Sequence, residues 1–145
     1  MRFIVGVFPL LTIPVIVYNL MALGFTGGPD GMLTMTEQIS RPVFSIPMVT
    51  EGTVWTISSA DILIILSMGF FFIEILKSTS TGAATIANHA VSMLVFIVAL
   101  VEFLLLKNFA TSAFFILTLM ALLDVLAGVV VTIIAARRDF AVGEH

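Results

Sequence analysis

The chain has 145 residues, of which 60% are hydrophobic and only 10% charged. Soluble domains carry roughly 25% charged residues, so an ordinary soluble domain is excluded. Six Lys+Arg against nine Asp+Glu exclude an electrostatic nucleic-acid binder, and the absence of cysteine excludes disulfides, thiolate catalysis and cysteine metal sites. The composition predicts an all-α membrane protein, a small polytopic bundle without a second domain.

A membrane-crossing helix needs about 20 mostly apolar residues. Four segments meet or approach this: 3–25, 58–76, 83–106 and 111–136. The first follows Arg2 and runs longer than the apolar region of a cleaved leader, without a small-residue cleavage site, so it reads as a retained helix. Pro9 and Pro14 lie inside it and predict a kink.

Between the first two spans, residues 26–57 form the one sizeable outer loop. Gly24, Gly27, Gly28, Pro29 and Gly31 end the first span. Val43–Ile46 and Thr53–Ile57 are β-prone, with Glu51-Gly52 between them as a turn. The expectation is a short antiparallel hairpin resting on the bundle end, with Trp55 near the headgroups. Ser58 and Asp61 have capping-box spacing at the start of the second span. Residues 78–82 and Lys107-Asn108 are short turns, so spans two to four pack up, down and up. Arg2, Lys77, Arg137 and Arg138 against Arg41 and Lys107 place both termini on the cytoplasmic side.

Ionisable residues inside a membrane are costly, and each is a functional candidate. Asp124 lies near the middle of the fourth span. At about 1.5 Å per residue, Thr12, Ser67, Ser92 and Asp124 share a depth of roughly 12–18 Å. They define either a hydrogen-bonded layer joining the helices or a proton- or ion-binding layer. Ala121, Gly128 and Ala135 share the Asp124 face and predict close helix packing, within one chain or between subunits. Glu102 shares a stripe with Asn88, Ser92, Val95 and Ala99, and Lys107 is within reach of it for an interfacial ion pair. Glu74 and Lys77 read as a local i, i+3 pair at the inner boundary, with Lys77 free to snorkel. Histidine is the side chain whose ordinary range spans neutral pH, but the single His89 is weak evidence for a metal. His145 is terminal.

No nucleophile elbow, metalloprotease motif, phosphate loop or paired carboxylates occurs, so no enzyme, metal or cofactor is expected. One intramembrane histidine rules out bis-histidine haem within one chain. A pigment or quinone along an apolar groove stays open.

The segments Phe72–Ser78, Asn88–Leu94, Leu100–Leu104 and Leu123–Gly128 resemble a group of uncharacterised four-span inner-membrane proteins of Gram-negative bacteria, over about half the chain. The resemblance implies a bacterial inner-membrane location and four spans, and brings no activity. The plan is also similar to claudin-like tetraspan proteins, but the outer loop lacks that family's paired cysteines. The function expected is a non-enzymatic structural or accessory subunit, embedded in the lipid bilayer and packing against itself or a larger membrane complex. The alternative is an oligomeric ion or proton channel, or a proton-coupled carrier, using Asp124 with Glu102 and His89.

Overall fold

The runs of leucine, isoleucine, valine and phenylalanine between the glycine- and serine-rich connections fold as helices. In the computed structural model the described residues are 8–24, 34–78 and 83–142. In chain order they form α1 (Thr12–Leu23), α2 (Met35–Ile39), β1 (Pro42–Pro47), β2 (Val54–Ser58), α3 (Ser59–Ser78), α4 (Ala83–Leu105), a 3-10 turn (Lys107–Phe109) and α5 (Ser112–Val142). Stretches within α3, α4 and α5 are long and apolar enough to cross a membrane: Ser59–Ser78, Ile86–Leu105 and Ser112–Ile134.

α1 is the shorter apolar helix, 12 residues as described. The rest of the expected first span, residues 3–7 and 25, lies outside the described residues. Pro9, expected inside the first span, precedes α1. Its carbonyl accepts the Thr12 amide at 3.1 Å. Pro14 sits in the first turn, where an amide has no intrahelical partner to lose.

α5 is the principal partner of both α4 and α3, and α1 packs across all three. The long helices alternate in direction. Phe8 and Leu10, before α1, meet the end of α3, which in turn bonds Asn88 near the start of α4. Ala22, at the end of α1, meets Asn108 before α5. The bundle therefore has a hairpin end, where α1 finishes, and a turn end, where α3 passes to α4.

At the hairpin end Tyr18, Phe109 and Phe114 are fully enclosed. Their ring centroids lie 4.6 Å (Tyr18–Phe114), 4.9 Å (Phe109–Phe114) and 5.6 Å (Tyr18–Phe109) apart. The Tyr18 hydroxyl bonds Thr111 Oγ1 at 2.6 Å and donates to the Asn108 carbonyl at 3.1 Å. Asn108 Nδ2 in turn donates to the Ala22 carbonyl at 3.0 Å. This polar ring fixes α1 to the turn before α5 and satisfies groups at both helix ends.

The hairpin forms in the expected register region, antiparallel, with a bulge between Pro42 and Phe44. Gly52 takes φ +74°, which a residue with a Cβ adopts at a cost, and this closes the turn after Glu51. The expectation that the hairpin rests on the bundle is corrected. Of its strand residues only Ile57 is buried, so it projects, with Trp55 exposed. Among the described residues no third strand pairs with it, and every residue of β1 is exposed. α2 was not anticipated. Thr34 caps it by accepting the Glu37 amide at 3.3 Å, while Glu37 accepts the Thr34 amide at 2.6 Å. Burial of Met35 and Ile39 ties it to the same end.

Candidate functional site

Polar side chains are concentrated inside the bundle and large apolar ones outside. Glu74 and Ser67 are fully buried, and Asn88, Ser92, Thr118 and Asp124 nearly so. Phe72 is 62% exposed, Leu94 62% and Leu104 67%. This inverts the usual arrangement of a water-soluble protein.

The hydroxyls separate into two groups. Ser67 donates to Leu63 O at 2.6 Å, Thr118 to Phe114 O at 2.9 Å and Thr132 to Gly128 O at 2.9 Å. Each is satisfied by its own helix, one turn back. The hydroxyl oxygen of Thr12 is buried and unpartnered, as is Asp124 Oδ1, while the Ser92 hydroxyl is directed at Asp124. The sequence reads four polar residues at one level, but the expected hydrogen-bonded layer does not join all four. Ser67 turns back on its own helix. Thr12 lines a separate groove of about 390 Å³ between α1 and α4 with Val15, Ile16, Leu94 and Val98. Only Ser92 and Asp124 face each other.

What the sequence reading treated as a boundary pair is a buried junction. Glu74 Oε2 accepts the Leu10 amide at 2.9 Å and the Lys77 ammonium at 3.1 Å. Its Oε1 accepts Asn88 Nδ2. Lys77 Nζ also donates to the Phe8 carbonyl at 2.8 Å and to Asn88 Oδ1 at 3.4 Å. The three segments meeting here are the approach to α1, the end of α3 and the start of α4. The signal available in the sequence was the pair Pro9 and Asn88. A proline break frees backbone groups for an outside partner, and an amide side chain can bridge a carboxylate and an ammonium at once.

α4 and α5 meet through a ladder of antiparallel pairs. His89 lies against Gly128, and Ser92 against Asp124. An ideal Cβ on Gly128 would fall 2.6 Å from His89 Cγ and nearer still to Nδ1 and Cε1. The glycine thus makes the space the imidazole occupies. Toward the hairpin end the same seam is closed by Ala121, Leu117 and Ala99, all buried. Ala121 and Gly128 therefore pack within one chain. Ala135 lies outside the described side chains. Both His89 ring nitrogens are buried and unpartnered. Each unmet buried polar group costs about 1–3 kcal/mol. Three such atoms on two residues of one helix pair, with the Ser92 hydroxyl beside them, mark this as the candidate site.

Glu102 is placed elsewhere. It accepts Asn19 Nδ2 at 3.0 Å, joining α4 to α1. Among the described residues it makes no ion pair with Lys107, because α4 ends at Leu105 and Lys107 opens the 3-10 turn, exposed. No three His, Cys, Asp or Glu side chains among the described residues are grouped to hold a metal. Comparison of the chain with protein-family models, curated proteins and solved structures gives no match.

Proposed function

We propose that the chain is a small integral membrane protein with four spans, acting without catalysis as an accessory subunit that packs against itself or a larger membrane complex. One observation carries this reading: α3, α4 and α5 present leucine, isoleucine, valine and phenylalanine outward and keep carboxylates, amides and hydroxyls inward. Lipid is the solvent in which that distribution is stable, since apolar faces need no partner there and polar groups must be satisfied internally. In this reading α1, the shorter apolar helix, is the fourth span. The bacterial inner membrane, with both ends of the chain cytoplasmic, follows from the sequence resemblance and from the bias of Lys77, Arg137 and Arg138.

The test is extraction of the protein with its own lipid into polymer-bounded discs, followed by native mass measurement. More than one protein chain per disc is expected, either identical copies or a defined second component. Discs holding a single copy and nothing else, even after gentle cross-linking, exclude the accessory reading. Reporter fusions at the two chain ends check the orientation independently.

A further inference from the structure

We infer that Asp124, with His89 and Ser92, forms a buried proton-exchange site, entered from the turn end of the bundle and closed at the hairpin end.

The argument starts from unmet bonding capacity. Asp124 and Ser92 are almost wholly enclosed and face each other, while Asp124 Oδ1 and both His89 nitrogens have no partner among the described residues. An ionised carboxylate can only accept hydrogen bonds, and the serine hydroxyl can donate one. A proton on Asp124 converts that oxygen into a donor. The same proton passed to His89, directly or over one water, leaves a carboxylate and an imidazolium. The exchange moves one proton, breaks one O–H bond, forms one N–H bond and leaves the total charge unchanged. A single mobile proton therefore serves all three residues in turn, which no fixed side chain on the page does.

The surrounding charges define one side of entry. From α3, Glu74 and Lys77 act on Asp124; from α4, His89 does so, with Ser92 alongside. Asp124 is the one charged residue of α5 between Ser112 and Ile134, and the described part of α1 carries no charged side chain. All these groups lie toward the turn end, where Lys77 is partly exposed. Glu74 and Lys77 are bound to each other and to Asn88, so they form the fixed polar wall of the entry. In the other direction Phe114 lies ten residues along α5, about 15 Å away. There Tyr18, Phe109 and Phe114 fill the cross-section, and the Tyr18 hydroxyl is held by Thr111. Thr118 between them is tied to its own backbone. The polar path ends before it reaches the hairpin.

The inference rests on the four-span reading, and one sample distinguishes the two. Polarised infrared spectra of the whole protein in oriented bilayers report helix alignment across the membrane from the amide bands. Spectra taken at two pH values report carboxyl protonation in the same film. We expect aligned helices and a pH-driven carboxyl C=O band that is lost in Asp124→Asn, moved in Asp124→Glu and perturbed in Ser92→Ala. His89→Gln should shift the pH at which the band responds. In sealed vesicles the band should follow the pH on the Lys77 face only. Aligned helices with no such band, or a band that survives Asp124→Asn, overturn the site while leaving the spans intact. A band governed by sodium at fixed pH makes it a cation site and overturns it as well. A response to either face overturns the closed end. Unaligned helices reject the spans themselves.

Discussion

Replacing Gly128 with alanine tests whether the α4–α5 seam is built around the His89 ring. The added methyl would sit 2.6 Å from His89 Cγ and closer to Nδ1 and Cε1, within the repulsive wall of all three. Three contacts with one planar ring leave no small adjustment that relieves them; the ring must swing out or α4 must move. Overpacking of this kind costs about 1–3 kcal/mol. Alanine in a helix recovers about 1 kcal/mol relative to glycine, so the expected net loss is roughly 0–2 kcal/mol. The assay is reversible unfolding in bicelles, run as a double-mutant cycle with His89→Ala. With the ring removed, Gly128→Ala should become neutral or stabilising, giving a coupling of about 1–3 kcal/mol between positions 89 and 128, because the propensity gain cancels in the cycle. An equal effect of Gly128→Ala in both backgrounds would refute the claim that the glycine exists to admit the histidine.

Three further outcomes follow from the contacts. Glu74→Ala leaves the Leu10 amide, Lys77 and Asn88 without their shared acceptor, and should cost about 3 kcal/mol, the low end for a broken buried pair because Lys77 can snorkel; the bicelle unfolding measurement reads it, and Glu74→Gln should cost less. Tyr18→Phe keeps the ring cluster but drops the bonds to Thr111 and Asn108, and should lower stability by about 1–1.5 kcal/mol, with little further loss when Thr111→Val is added. Thr34 holds the Glu37 carboxyl below its ordinary value through the backbone amide and the hydroxyl. A carboxylate whose folded value is depressed contributes stability above its unfolded value and loses it as pH falls through the folded one. Amide exchange of Met35–Ile39 should therefore accelerate, relative to the other helices, as pH drops below about 4.5; Thr34→Ala should remove that acid dependence.

The last turn of α3 shows how far linear spacing reaches. Glu74 and Lys77 are i, i+3 neighbours, and their ion pair was legible from that interval alone. That Leu10 and Asn88 also bind Glu74, from 64 and 14 residues away, was not. Long-range partners depend on how helices are set side by side, and spacing within one helix carries no record of that. The same holds for Glu102, whose sequence neighbour Lys107 offered an obvious partner while Asn19 of α1 supplied the actual one.

Local chemistry decided the elements. Apolar runs of sufficient length gave the helices, Glu51-Gly52 gave the hairpin turn, and Ser58 with Asp61 gave the reciprocal cap, seen as bonds of 2.9 and 3.2 Å. These need only neighbours within a few residues, so the amino-acid order determines them. The common depth of Ser67, Ser92, Thr12 and Asp124 was equally legible, because rise per residue is fixed. Depth, however, leaves rotation about each helix axis free. Packing set that rotation: it turned Ser67 back onto its own carbonyl, sent Thr12 to another groove, and laid His89 on Gly128 beside the pair of Ser92 and Asp124.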